Sequence, residues 1–178
     1  MDILAHGLWT NLMYKTIPQT RDNRKITYWG IAFGVLPDLV SFTPVFFYAF
    51  YASIFLQQPF FAGPPGNDNP FFEYAVQTYN YSHSIVIWAA VLILVWLIPH
   101  LFWKKGAGFP WILLGWALHI FIDIFTHTEA FFATPFLFPL SGLKVSVISW
   151  AHPVFMVINY SLLLILYFIV IPKFRATK

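Results

Sequence analysis

Long apolar stretches separated by short polar connectors dominate the chain, and their lengths predict membrane-spanning helices. A helix needs about 20 apolar residues to cross a bilayer. Four stretches approach or exceed that length: Ile26–Leu56, Ser84–Trp103, Phe109–Thr126 and Trp150–Ile171. Ile3–Tyr14 is too short to cross, so it predicts a half-helix that packs among the others or lies at the interface. We therefore expect an all-α, polytopic transmembrane bundle of about four full spans plus a short N-terminal half-helix.

Proline, glycine and asparagine residues predict where these helices break. Pro37 and Pro44 interrupt the longest apolar stretch, which predicts a broken or strongly kinked helix because proline removes a backbone donor and clashes with the preceding turn. Residues 57–82 are rich in turn-forming and aromatic residues and predict an interfacial loop. Residues 128–149 predict a second irregular loop.

The composition supports a membrane protein and excludes several kinds of chemistry. The chain has 178 residues, of which 59% are hydrophobic and only 10% charged, whereas soluble domains carry about 25% charged residues. It contains no cysteine, so disulfides, thiolate metal sites and cysteine nucleophiles are excluded. The net charge of +3 is small and its basic residues form no single patch, which argues against a nucleic-acid partner.

The basic residues predict the orientation in the membrane. Nine of the ten lysines and arginines lie in the connector 15–25, at Lys104–Lys105 and in the tail 172–178, and alternate loops hold only Lys144. Since cytoplasmic loops carry the excess of lysine and arginine, these three segments and the C-terminus are predicted to face the cytoplasm. Residues 1–178 then form one integral domain of a bacterial-type cytoplasmic membrane, with loops 57–82 and 128–149 outside. The oligomeric state stays open.

Three ionisable side chains lie well inside predicted spans: Asp38, His119 and Asp123. Placing a charged side chain inside a span costs about 3 kcal/mol or more, so each of these residues needs a partner or a function. His119 and Asp123 are four residues apart, and a helix places both on one face. A hydrogen bond between them would satisfy both, and Asp38 after Pro37 would serve as a helix cap. A shared metal ion is the alternative that neutralises both carboxylates.

Two histidines at the edges of apolar segments can reach the same depth. At a rise of 1.5 Å per residue, His6, Asp38 and His119 lie about 13, 20 and 21 Å from the nearest basic connector. His83 reaches inward from the outer end of its span, although it could also be an interfacial histidine. We predict a site toward the outer leaflet with five metal ligands: His6, Asp38, His83, His119 and Asp123. Imidazole and carboxylate without thiolate favour one or two zinc ions, with manganese or iron as alternatives.

Three more residues are candidates for the edge of this site. Asp2 lies four residues before His6, where a carboxylate on the far histidine nitrogen would fix its tautomer, unless both lie at a solvated terminus. His127 continues the helical face of His119 and Asp123 by one turn. His152 opens the last span, as a peripheral ligand or as an ordinary interface residue.

The motifs around these residues resemble one family in order along the chain. They are His6-Gly7, Gly34-Val35-Leu36-Pro37-Asp38, Ser82-His83-Ser84, the Gly115…His119…Asp123…Thr126 helix and the segment Thr134–Leu140. In this order the sequence resembles the YdjM-type, LexA-regulated family of membrane-bound metal-dependent hydrolases. The ligand pattern is also similar to that of zinc-dependent phospholipases C, in which an N-terminal amine, histidines and aspartates bind a zinc cluster that cleaves phosphodiesters.

The resemblance to these phospholipases implies two ions and their ligands. A first ion would be bound by three residues with a fourth beside it: His83, His119 and Asp123, then Asp38. A second would be held by His6, Asp123 and the Met1 amine. His127 and His152 resemble the start of a third site, where Met156 stands at the position of the phospholipases' glutamate.

We therefore expect a membrane enzyme that hydrolyses a phosphoester of a membrane lipid, with Asp38 as the catalytic residue that orients or deprotonates water. A metal would lower the pKa of that water to about 7, and a lipid reaches such a site directly from the membrane. A haem or quinone electron-transfer protein is a second interpretation, against which the two aspartates count. An ion carrier that uses the same His/Asp site is a third, although no internal repeat supports it.

Overall fold

The computed structural model describes residues 1–60, 69–102 and 108–175 and is helical throughout its regular elements. The predicted turn at Lys104–Lys105, residues 61–68 of the predicted outer loop and residues 176–178 of the predicted tail lie outside the described residues. A 3-10 turn, Trp111–Leu113, precedes the fifth of six helices. The helices are α1 Ile3–Thr16, α2 Arg24–Phe55, α3 Phe72–Ser82, α4 Ile85–Phe102, α5 Leu114–Thr126 and α6 Pro153–Arg175.

Two of the described helices, α2 and α6, are long and apolar enough to cross a membrane, which is consistent with an integral membrane protein. Helices α3 and α4 are long and apolar enough for a third span only when taken together. The chain bends by 58° between them, so the pair is either one broken span or a re-entrant loop. The turn and helix from Trp111 to Thr126 are apolar but shorter. The described part of the chain thus gives two or three spans, and the predicted four full crossings stay a prediction.

Helix α2 runs without interruption through Pro37 and Pro44, so the predicted break is wrong, while the strong kink given as its alternative stays a prediction. A proline inside a helix frees only one carbonyl, and neighbouring helices make this tolerable in membrane spans. The continuous helix has a consequence for Asp38. It lies in mid-helix, 4% exposed, and does not cap a helix start.

Helix α1 packs among the other helices and does not lie apart from them. Asp2 caps its start by accepting a hydrogen bond from the Ala5 amide (3.0 Å). Two polar contacts attach it to α6: Trp9 Nε1 donates to Asn159 Oδ1 (2.8 Å) and Asn11 Nδ2 donates to Tyr167 Oη (2.9 Å). The half-helix is therefore held inside the bundle, with His6 buried.

Small residues let α1, α2 and α5 approach closely. A Cβ on Gly115 of α5 would collide with the Gly30 carbonyl oxygen of α2. Towards α1, a Cβ on Gly30 would collide with the Tyr14 ring, and a Cβ on Gly34 with the Thr10 side chain. Such backbone approach is how membrane helices associate where no hydrophobic force drives them together. It brings the polar residues of three helices to one point.

The bend between α3 and α4 places a histidine deep in the bundle. His83 ends α3, and Ser84 starts α4 by accepting hydrogen bonds from the amides of Val86 (3.1 Å) and Ile87 (3.2 Å). The Ser84 hydroxyl also donates to the Phe138 carbonyl. The two helices thus meet at a break tied to the 128–149 segment, and His83 is fully buried there.

Candidate metal centre

The structure brings the five predicted metal ligands together from four parts of the chain. His6 comes from α1, Asp38 from α2, His83 from the break after α3, and His119 and Asp123 from α5. All five side chains are buried, and Asp38 retains the most surface at 4%. The predicted helical spacing holds on α5, where His119 Nε2 lies 3.2 Å from Asp123 Oδ2.

Five of the six distances among the ligand atoms of Asp38, His83, His119 and Asp123, here called the tetrahedral group, are close to those between the corners of a tetrahedron around one ion. His83 Nε2 lies 2.9 Å from His119 Nε2, 3.5 Å from Asp38 Oδ1 and 3.4 Å from Asp123 Oδ2. His119 Nε2 lies 3.7 Å from Asp38 Oδ1 and 3.2 Å from Asp123 Oδ2. Ligand atoms about 2.0–2.1 Å from a tetrahedral zinc ion are about 3.3 Å apart. Asp38, His83, His119 and Asp123 could therefore hold a metal ion.

Hydrogen bonds to backbone carbonyls orient the rings of His83 and His119. Each ring then turns the lone pair of its Nε2 atom toward the other ligand atoms of the group. His119 Nδ1–H donates to the Gly34 carbonyl (2.8 Å). His83 Nδ1 lies 2.9 Å from Ser82 Oγ and 3.2 Å from the Tyr79 carbonyl oxygen, and because the Ser82 hydroxyl itself donates to that carbonyl, Nδ1–H is the donor to both oxygens. In the neutral tautomers that these contacts select, each Nε2 is an acceptor. Two acceptors 2.9 Å apart repel unless a cation or a proton lies with them. A hydrogen bond to the opposite ring nitrogen is the usual arrangement of metal-binding histidines.

The two carboxylates provide the second test of fit. Asp38 Oδ1 and Asp123 Oδ2 are buried and make no hydrogen bond with any described residue. No lysine or arginine side chain forms an ion pair with either aspartate in the described part of the chain. The Met1 amine pairs with Asp123 Oδ1, but two buried carboxylates with no lysine or arginine beside them are still costly in an apolar interior. A divalent cation between them would neutralise both, so the residues present fit a metal ion.

A second group of polar atoms surrounds the other oxygen of Asp123. The Met1 amine forms an ion pair with Asp123 Oδ1, and it lies 2.8 Å from His127 Nε2. His6 Nε2 and His127 Nε2 lie 3.0 and 3.5 Å from the same oxygen. The His6 ring also stacks on the His119 ring at 3.7 Å. Asp123 thus joins two groups of ligand atoms, one at each of its oxygens.

Asp2 and His152, both candidates for the edge of the site, lie elsewhere. Asp2 Oδ1 accepts hydrogen bonds from the Ala5 amide and from the Tyr160 hydroxyl (2.8 Å), so it ties α1 to α6. No described contact joins its carboxylate to His6, whose Nδ1 makes no hydrogen bond within the described ranges. His152 is exposed at the start of α6.

Tyr79, which the sequence does not single out, contacts both groups of ligands. Its buried ring stacks on the His83 ring at 3.7 Å. Its hydroxyl lies 3.1 Å from His127 Nδ1 and 2.9 Å from Thr134 Oγ1. Tyr79 lies four residues before His83, and a helix that ends at His83 places these two side chains on one face. This spacing is the sequence feature from which a role for Tyr79 could be predicted. Helix α3 itself was missed inside the predicted loop 57–82.

Comparison of the chain with protein-family models, with curated proteins and with solved structures finds no match. The family resemblance described above therefore stays a prediction that rests on the motifs alone.

Proposed function

We propose that the protein is a membrane-embedded, metal-dependent hydrolase that cleaves a phosphoester of a membrane lipid. One observation carries the proposal: a buried carboxylate, Asp123, joins two groups of ligand atoms among apolar helices. Histidine and carboxylate without thiolate favour zinc. The group at Asp123 Oδ2 would hold one ion. His6, His127 and the Met1 amine, once deprotonated, would hold a second at Asp123 Oδ1.

Asp38 is the residue that we assign to the reacting water. It keeps 4% of its surface exposed, while His83, His119 and Asp123 are fully buried. If Asp38 takes a proton instead of binding the ion, three protein ligands remain, which is the number typical of catalytic zinc sites. When bound, a zinc ion polarises the phosphoryl group and acidifies a water molecule. Asp38 would orient that water and accept its proton.

The surroundings of the cluster support a lipid as the substrate. Candidate spans α2 and α6 carry apolar surfaces, and residues beside Asp38 on α2, such as Leu39 and Val40, are about 42% and 41% exposed. A lipid approaches this surface directly from the bilayer, whereas a soluble molecule must leave water. We place the site in the outer half of the membrane because of the positive-inside orientation.

Haem does not suit this geometry. His83 Nε2 and His119 Nε2 lie 2.9 Å apart, which leaves no room for a porphyrin between them. The absence of a Soret band from the purified protein would agree with this. An ion carrier would use the same ligands, and turnover that a chelator abolishes separates the hydrolase from it.

The proposal is tested by Asp38→Asn, which keeps the size of the side chain and removes its charge. We measure release of phosphorylated head group or of inorganic phosphate from mixed lipids in detergent, with and without chelator. The variant should retain metal and lose about 10²- to 10⁴-fold in rate, as expected for a general base. Glu73→Gln is the matched control, because Glu73 is an exposed acid on α3 whose one hydrogen bond among the described residues is to Gln77. Metal-loaded wild type without chelator-sensitive hydrolysis, or an Asp38→Asn variant as active as wild type, would refute the proposal.

A further inference from the structure

Helix α2 is linked to the candidate ligand His83 at both nitrogens of its ring. On one side, Asp38 Oδ1 lies 3.5 Å from His83 Nε2. On the other side, His83 Nδ1 lies 2.9 Å from Ser82 Oγ, which in turn lies 3.2 Å from Ser41 Oγ. Asp38 and Ser41 are three residues apart, so a helix places both on the same face. One face of α2 therefore provides a candidate ligand and also a hydroxyl linked to the far nitrogen of a second ligand.

The Ser41 hydroxyl lies in apolar surroundings where α2 packs against α3. Ser41 is 0% exposed, and its neighbours Phe42 and Val45 form an apolar cluster with Ala75 of α3. A buried hydroxyl costs free energy unless it is hydrogen-bonded. The contact with Ser82 Oγ is the one hydrogen bond that this hydroxyl forms with a described residue. Packing alone does not require it, because an alanine fills nearly the same volume.

The hydrogen bonds around Ser82 identify the donor in this contact. His83 Nδ1–H donates to Ser82 Oγ, and the Ser82 hydroxyl donates its own proton to the Tyr79 carbonyl (3.4 Å). A serine hydroxyl has one proton and two lone pairs. Ser82 therefore has no second proton to give, and the Ser41 hydroxyl is the donor between the two serines. Ser82 Oγ thus accepts two hydrogen bonds, one from Ser41 and one from His83.

The hydrogen bond from Ser41 bears on the tautomer of His83. A serine side chain has three staggered rotamers, and the bond from Ser41 holds the one in which Ser82 Oγ accepts the proton of His83 Nδ1. Without it, the Tyr79 carbonyl at 3.2 Å is the remaining acceptor for that proton. A neutral imidazole binds a metal only through the nitrogen that carries no proton. Keeping the proton on Nδ1 therefore keeps Nε2 available for the ion.

We propose that Ser41 is a positioning residue of the metal centre, which acts through Ser82 to hold His83 with its Nε2 lone pair toward the ion. The inference rests on the metal site of the proposed function, but not on the hydrolytic reaction or on a lipid substrate. Ser41 itself contacts none of the candidate ligands in the described part of the chain. Helix α2 would then orient His83 with one residue and share the ion with it through another, Asp38.

The first test measures metal binding by Ser41→Ala. Competition with a chelator of known affinity should show that zinc binds about tenfold more weakly, as expected when a residue that orients a metal ligand is removed. The visible absorption of the cobalt-loaded variant should also change, because it depends on the arrangement of ligand atoms around the ion. Thr27→Val is the matched control and should change neither, since Thr27 is a buried hydroxyl of α2 that donates to the Asn23 carbonyl (3.1 Å).

The second test determines whether Ser41 acts through Ser82. Ser82→Ala removes the intermediate hydroxyl and should weaken zinc binding at least as much as Ser41→Ala does. The double variant should bind zinc no more weakly than Ser82→Ala alone, because two residues of one hydrogen-bonded chain have non-additive effects. Additive effects would mean that Ser41 acts by packing between α2 and α3, which overturns the inference. An unchanged zinc affinity and cobalt spectrum in Ser41→Ala overturn it as well.

Separate outcomes bear on the inference and on the proposed function. Weaker, non-additive zinc binding by the two serine variants supports the role of Ser41 even if the wild type hydrolyses no lipid, a result that refutes the hydrolase. A hydrolytically active wild type together with a Ser41→Ala variant of unchanged zinc affinity supports the hydrolase and overturns the role of Ser41. A folded wild type that binds neither zinc nor cobalt overturns both.

Discussion

Asp123 is the residue on which the candidate metal centre depends most. Its Oδ2 lies 3.2–3.4 Å from His119 and His83, and its Oδ1 lies 3.0–3.5 Å from His6 and His127. Any other single ligand serves one group of atoms, whereas loss of this carboxylate affects both. Measuring the metal content of single-substitution variants therefore distinguishes the roles of the side chains in the cluster.

His119→Ala should lose metal and activity together, because His119 belongs to the tetrahedral group and stacks on His6. Elemental analysis of purified protein, with wild type expected to hold one or two ions, measures the loss. His100→Ala is the control, since His100 is exposed and, among the described residues, hydrogen-bonds the Trp96 carbonyl and no metal ligand. Full metal content in His119→Ala would contradict its assignment as a ligand.

Tyr79→Phe should weaken metal binding about 10- to 100-fold, the usual effect of removing a residue that orients a metal ligand. The variant keeps the ring that stacks on His83 and removes the hydroxyl beside His127 and Thr134. Competition with a chelator of known affinity measures it. Tyr74→Phe, on the exposed side of the same helix, is the matched control. Equal affinities of Tyr79→Phe and wild type would show that the hydroxyl has no such role.

At the scale of helices, the close approach of α2 and α5 determines whether Asp38 can meet the residues of α5. Gly115→Ala would push its Cβ into the Gly30 carbonyl. Overpacking typically costs about 1–3 kcal/mol, so we expect a lower free energy of unfolding and reduced metal content. Denaturant titration in detergent and elemental analysis measure the two effects.

Gly142→Ala is the control for this substitution, because a Cβ there has no atom within 4 Å. Unchanged stability and metal content in Gly115→Ala would mean that α2 and α5 can separate without affecting the site.

Much of the cluster could be predicted from the sequence, for a physical reason. Asp38, His119 and Asp123 lie in apolar surroundings, where a charged side chain is conspicuous. Tyr79 could not be singled out in the same way, because it is one of many aromatic residues in a segment that predicts a loop. In two helices, tertiary packing overrides what the local sequence predicts. Helix α2 continues through two prolines, and α3 forms after a Pro/Gly-rich stretch that predicts a loop.

On the scale of the whole molecule, α6 presents most of its surface outward. Only 11% of its apolar stretch is buried, and Phe168, for example, is 73% exposed. Among the described residues, four polar contacts link α6 to α1 and its N-cap, including Tyr160 with Asp2 and Tyr167 with the Leu8 carbonyl. Such a helix needs lipid on its outer faces, in agreement with an integral membrane protein.

The orientation of the molecule is predicted by its basic residues and is tested with single cysteines, since the chain has none of its own. Leu140→Cys, at a position 79% exposed in the predicted outer loop, should react with an impermeant thiol reagent in intact cells. Lys25→Cys, in the predicted cytoplasmic connector, should react only after permeabilisation. The reverse pattern would place the metal centre toward the cytoplasm.

The arrangement of the ligands along the chain also has a consequence for biosynthesis. The tetrahedral group takes Asp38 from α2, His83 from the break before α4, and two residues from α5. During synthesis these segments leave the ribosome one after another, so the group cannot exist until α5 has been inserted. Metal loading would then be a late event that reports completed insertion. Because an ion that binds only the finished fold stabilises it by mass action, metal supply would govern how much of the newly made protein survives quality control.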